Sequence, residues 1–102
     1  MNKFQKLINK KNKSKIVSLT AYSKNMASVI DNYCDIVLVG DSLGSVLYNY
    51  NSTRSVTLGM MIEHSKSVRL GVKKSLMVVD MPFNTYRTVS YTHLTLPTIL
   101  LV

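Results

Sequence analysis

Two short runs, "DIVLVG" (Asp35 to Gly40) and "SLMVVD" (Ser75 to Asp80), constrain this chain more than any other feature. Both are apolar, rich in β-branched residues, and lack the polar–apolar alternation of a half-exposed strand. Such runs belong to strands covered on both faces, as in a parallel sheet wrapped by helices. Each also gives way to a carboxylate. "VLVGDSLG" (Val37 to Gly44) turns at Asp41, and "VVDMPF" (Val78 to Phe83) turns at Asp80.

The segments around them supply the rest of a βαβαβ order. Asn2 to Ile8 reads as a short amphipathic helix, followed by the solvated loop "NKKNKSK". Ile16, Val17 and Leu19 in "KIVSLTAY" make a first β-prone run. Ser23 can cap a helix over Lys24 to Tyr33, with Met26, Ala27, Ile30 and Tyr33 on one stripe. A loop through "NYNSTRS" leads to Thr57, a second N-cap. Leu58, Met61, Ile62, Ser65 and Val68 then hold helical spacing to Gly71, a natural C-terminal stop. Strands alternating with helices predict an α/β fold with a parallel sheet and right-handed crossovers. Asp41 and Asp80 then share the C-terminal edge of neighbouring strands, the edge where such sheets bind ligands.

Two carboxylates on one rim repel, and burial worsens the repulsion. A cation between them relieves it. Oxygen donors without neighbouring His or Cys favour a hard ion, Mg²⁺ before Zn²⁺. Ser42 adds a hydroxyl and a backbone N–H, and Gly40 and Gly44 let the backbone come close to a small anionic ligand. The plainer reading is that both acids are turn-formers.

Charge and cysteine usage narrow the function classes. The net charge is +8, yet Lys3, Lys6, Lys10, Lys11, Lys13 and Lys15 crowd the first fifteen positions. No aromatic residues interleave with them to stack on bases, so a solvated basic N-terminus is favoured over nucleic-acid binding. A single cysteine, Cys34, excludes an internal disulfide and a cysteine-based metal cluster; it reads as a buried small apolar residue. No apolar segment reaches signal-peptide or membrane-spanning length. The expectation is a cytoplasmic protein that contacts neither membrane nor nucleic acid.

"LTAY" (Leu19 to Tyr22), "VLVGDSLG", "VTL" (Val56 to Leu58), "MIEHSKSV" and "VVDMPFNTY" occur in this order. Over roughly Lys3 to Tyr86 they resemble ketopantoate hydroxymethyltransferase (3-methyl-2-oxobutanoate hydroxymethyltransferase). The resemblance implies a (β/α)8 TIM barrel of the phosphoenolpyruvate/pyruvate type, of which residues 1–87 would form about three βα units. It implies a homo-oligomer for the full-length enzyme. It also implies Mg²⁺-dependent transfer of a hydroxymethyl group from 5,10-methylenetetrahydrofolate to 3-methyl-2-oxobutanoate, giving 2-dehydropantoate for pantothenate and coenzyme A biosynthesis. Carried over by position, Asp41 and Asp80 match the family's metal-binding acids, and Asp41, Ser42 and Asp80 its keto-acid contacts. A 2-oxo acid can chelate Mg²⁺, which polarises the carbonyl while a general base removes the neighbouring proton.

The chain departs from the family in several places. The family's catalytic base lies downstream of the third strand, beyond this sequence, so the 102-residue chain is expected to be inactive. Ser23 stands where the family commonly has Asp, and Gly59 and Met60 replace an acidic pair in a helix's first turn. Glu63 is expected on a solvated helix face, and His64 on a helix surface or in helix–strand packing; neither is assigned to chemistry. "VSYTHLTLPTILLV" (Val89 to Val102) has no acids and no helix stripe. It resembles translated sequencing-adapter read-through, making 88–102 a non-native tail in which His93 has no role; the alternative is a divergent strand. Two rival functions stay open. One is another Mg²⁺-dependent 2-oxo-acid lyase or mutase of the same barrel superfamily, and the other a small basic binding module using Lys10, Lys11 and Lys13.

Overall fold

The computed structural model describes residues 2–82 and 99–101. Helix α1 (Lys3–Lys10) is capped by Asn2, whose side chain accepts from Gln5 N at 2.8 Å. Strand β1 (Ser18–Thr20) leads to α2 (Lys24–Ile30), where the Ser23 hydroxyl accepts from Met26 N as the sequence predicts. Strand β2 (Ile36–Val39) is followed by a short helix, α3 (Leu43–Tyr48), and a 3₁₀ turn (Thr53–Ser55). Helix α4 (Leu58–Gly71) has the predicted bounds, and Thr57 Oγ1 accepts from Met60 N at 3.1 Å. Strands β3 (Leu76–Asp80) and β4 (Ile99–Leu101) complete a sheet of order β1-β2-β3-β4.

β1, β2 and β3 are parallel, with Thr20 opposite Leu38 and Val39 opposite Val79. The all-parallel expectation ends there. β4 pairs antiparallel with β3, Ile99 facing Asp80. The first strand also shifts: Ile16 and Val17 lie outside it, and Ser18 to Thr20 form the exposed edge of the sheet. Pairing with β2, rather than β propensity, sets where β1 begins.

One face of the sheet carries the core. Val37 and Val39 of β2 and Met77 and Val79 of β3 pack with Ala27, Met61 and Val68 of α2 and α4. Ile36 and Leu38 on the opposite face of β2 are only half-buried. The run therefore reads as doubly covered, but these residues cover mainly one side. The predicted stripe of α2 is similarly narrowed. Ala27 is fully buried and Ile30 packs on the core, whereas Met26 is exposed and Tyr33 (76% exposed) lies beyond the helix end.

The helix ends at Ile30 because Asp31 is drawn into a second role. Its buried carboxylate accepts from the backbone N–H groups of Lys73, Lys74 and Ser75 at about 3 Å. Ser75 Oγ returns bonds to the carbonyls of Asp31 and Cys34. The latch joins the entrances of β2 and β3. Burial raises the Asp31 pKa, but the converging N–H groups outweigh it and hold the carboxyl below its ordinary value. Asp35 is anchored by Lys10 and by Val17 N, tying α1 and the lead-in to β1 onto the start of β2.

Gly71 is present for a different reason from the one its position implies. It has no left-handed backbone, so it is not a glycine cap. A Cβ there would lie 2.4 Å from Lys24 O and 2.9 Å from Ala27 Cβ. The glycine lets α4 touch the backbone of α2.

Candidate active site

The chain turns out of β2 at Gly40 and enters α3 almost at once, placing Asp41 and Ser42 at the C-terminal edge of the sheet. Asp80, the last residue of β3, sits beside them: its Oδ2 accepts from Asp41 N at 3.1 Å. A Cβ on Gly40 would meet Ser42 Oγ at 3.3 Å and Asp80 Oδ2 at 3.4 Å, so Gly40 makes room for that juxtaposition. Tyr22, 7% exposed, brings its hydroxyl to 3.1 Å from Ser42 Oγ. The fold thus brings Asp41, Ser42 and Asp80 to one rim and adds Tyr22 from the β1–α2 connection.

Burial, reinforced by the negative charge of Asp80, pushes the Asp41 carboxyl above its ordinary pKa. A half-buried pair of carboxylate side chains with hydroxyl neighbours is a hard, oxygen-only donor set. Among the described residues no group of three or more His, Cys, Asp or Glu could hold a metal, so protein ligation would rest on these two acids. Magnesium commonly takes one or two carboxylates and fills its other positions with water or substrate oxygens. The residues present fit that ion and do not resemble a zinc site.

Gly44 serves packing instead of ligand approach. Its absent Cβ would fall 2.5 Å from Val56 Cγ2 and 3.1 Å from Tyr50 Cδ2. The residues directly after Ser42 form helix α3, ended by Asn49 in a left-handed conformation. Glu63 is exposed, as its helix position predicts. Cys34 is half-buried against the core, its Sγ 3.5 Å from Ser75 Oγ.

His64 is the site neighbour that sequence reasoning leaves unassigned. Its Nδ1 lies 2.9 Å from the Tyr22 carbonyl and its Nε2 2.7 Å from the Tyr48 hydroxyl. The Tyr48 ring meets the imidazole edge-on and stacks on Tyr50. Only the clustering of "LTAY" and "MIEHSKSV" among the resemblance motifs could have pointed to this link. Phe83 and the segment through His93 lie outside the described residues, as does all of the 88–102 stretch except the short strand β4.

Most of the chain is similar to known proteins. Residues 1–97 match the ketopantoate hydroxymethyltransferase family. The chain belongs to that family. It is 76% identical over 85 residues to the 3-methyl-2-oxobutanoate hydroxymethyltransferase of Pelagibacter ubique, a match covering 83% of this chain and 33% of the relative. A Chelativorans protein of the same name is 55% identical over 76 residues, covering 74% of the chain and 27% of the relative. One from Hahella chejuensis is 52% identical over 77 residues, covering 76% and 28%. The chain therefore spans between about a quarter and a third of the length of these ketopantoate hydroxymethyltransferase relatives. Among its described residues no helix is long and apolar enough to cross a membrane.

Proposed function

We propose that this chain is the N-terminal part of an enzyme that transfers a hydroxymethyl group from 5,10-methylenetetrahydrofolate to 3-methyl-2-oxobutanoate. The product is 2-dehydropantoate, on the route to pantothenate and coenzyme A in the cytoplasm. The observation that carries the reading is the meeting of Asp41, Ser42 and Asp80 at the sheet's C-terminal edge, within a family whose relatives bear that activity's name.

Asp41 and Asp80 would hold Mg²⁺ and, with Ser42, the keto acid. Bound there, the ion would neutralise both carboxylates and draw charge from the substrate carbonyl. The Ser42 hydroxyl, held by Tyr22, orients the substrate's oxygens. The proton-abstracting base comes from the part of the family's length not represented here, so this chain alone has no turnover.

The half-buried face of β2 and an apolar groove of about 430 Å³ between α4 and β3, lined by Met61, Ile62, Met77, Val79 and Met81, support residues 1–87 as a partial barrel awaiting further βα units. On this reading the whole enzyme is a homo-oligomeric (β/α)8 barrel, and 88–102 is the non-native tail. Sequencing the coding locus across codon 88 tests the junction: a frame continuing into further barrel sequence supports it, and the same tail in an independent read refutes it.

The function is tested by joining residues 1–86 to the remaining two thirds of the Pelagibacter ubique relative. The chimera should form 2-dehydropantoate only with both folate and Mg²⁺, and Asp41→Asn or Asp80→Asn should abolish turnover. Turnover of a 2-oxo acid without folate would support the lyase or mutase reading instead.

A further inference from the structure

The contacts of His64 fix the tautomer of its neutral ring. A carbonyl oxygen can only accept, so the 2.9 Å contact between Nδ1 and Tyr22 O requires a proton on Nδ1. In the neutral ring Nε2 is then the acceptor, and the Tyr48 hydroxyl, 2.7 Å away, donates to it. One imidazole thereby joins α4, α3 and the β1–α2 connection.

The connection it holds is the one that reaches the acid rim. Tyr22 is fastened at its carbonyl by His64 and presents its hydroxyl to Ser42 Oγ at 3.1 Å. Ser42 follows Asp41 and lies across Gly40 from Asp80. α3 contributes at both ends: it begins directly after Ser42 and ends at Tyr48. The chain Tyr48–His64–Tyr22–Ser42 is therefore closed through α3, so a shift of the imidazole alters the Ser42 hydroxyl from two directions.

We propose that His64 is a positioning residue of the active site: as its Nδ1–H tautomer, oriented by Tyr48, it clamps the Tyr22 carbonyl and so aims the Ser42 hydroxyl at the keto acid. This rests on the proposed hydroxymethyl transfer for its substrate, while the tautomer and the clamp rest on geometry alone. His64 touches no reacting atom.

The test uses the full-length chimera, three single variants and one double variant. An Asn side-chain N–H can reproduce an Nδ1–H donor, whereas Gln places its amide nearer the Nε2 position. Tyr22→Phe removes the hydroxyl that aims Ser42 but leaves the clamped carbonyl. Long-range proton–nitrogen spectra of the imidazole should show the neutral Nδ1–H form in the parent and in Tyr22→Phe. His64→Gln should raise KM for the 2-oxo acid about three- to tenfold, the effect of losing one hydrogen bond. KM for the folate should stay unchanged. His64→Asn should restore the parent value to within about twofold, and combining His64→Gln with Tyr22→Phe should add little to either alone.

An Nε2–H spectrum overturns the proposal. So do equal losses in the Asn and Gln variants, or a joint rise of both KM values with a fall in melting temperature, which marks a purely structural histidine. If the parent chimera lacks folate-dependent turnover, the function reading fails separately. The imidazole spectrum then decides His64 by itself: Nδ1–H sustains the clamp, and Nε2–H removes it.

Discussion

Replacing Gly71 by Ala should weaken the fold, against the usual behaviour of glycine in a helix. In an open helix the change gains up to about 1 kcal/mol, because alanine loses less backbone freedom on folding. Here the new Cβ would stand 2.4 Å from Lys24 O and 2.9 Å from both Ser28 N and Ala27 Cβ. Two of those three neighbours are backbone atoms, which cannot swing aside. Restoring ordinary contact, at 3.4 Å or more, requires α2 and α4 to part by about 1 Å, and overpacking of that kind costs about 1–3 kcal/mol. Net of propensity, a loss of up to about 2 kcal/mol is expected. Gly59 on the same helix is the internal control. Its added Cβ would meet only Thr57 Oγ1, at 3.8 Å, so Gly59→Ala should stabilise by up to about 1 kcal/mol. Urea unfolding of the chimera, followed by circular dichroism, reads both variants. The midpoints should move in opposite directions with the slope unchanged. A Gly71→Ala midpoint at or above the parent's refutes the claim that this glycine exists for helix contact.

The remaining predictions concern charge and exposed surface. Asp31 has a lowered folded pKa, so its stabilisation is present above the ordinary carboxylate value of 3.8 and is lost as pH falls through the lowered value. Asp31→Ala should cost about 2–4 kcal/mol at neutral pH, through charge-assisted bonds lost and the buried Ser75 N–H left unpaired; urea titration at pH 7 and pH 3 should show that cost shrinking in acid. Asp41 has the opposite sign. Its folded pKa is raised, so the native state is penalised as pH rises through that value. Asp41→Asn should therefore raise the melting temperature at pH 7 while abolishing turnover, and the thermal gain should vanish below the ordinary carboxylate value. The isolated 102-residue chain should elute as aggregate on gel filtration, because the β1 edge and the apolar residues Val29, Tyr33, Val46 and Leu70 are exposed; a monomer with a cooperative melt would contradict this.

Local chemistry in the sequence was enough to determine the caps at Ser23 and Thr57, the bounds of α4, the order of the three parallel strands and the placing of Asp41 and Asp80 on one edge. Each depends on near neighbours or on the period of apolar residues. Helix α3 was not legible because its six residues carry no stripe and follow a Gly-Asp-Ser turn. The end of α2 was not legible either, since it depends on amides more than forty residues away that recruit Asp31. Gly71 resembles a helix stop in one dimension and is a contact surface in three. The same distinction governs the site. Two acids after two strands can be read along the chain, but the pairing of Asp80 with Asp41 N and the His64 link to Tyr22 exist only once β2, β3 and α4 are packed together. Periodicity encodes which face a residue takes; which group it meets there is decided by tertiary contact, through hydrogen bonds that no local pattern specifies.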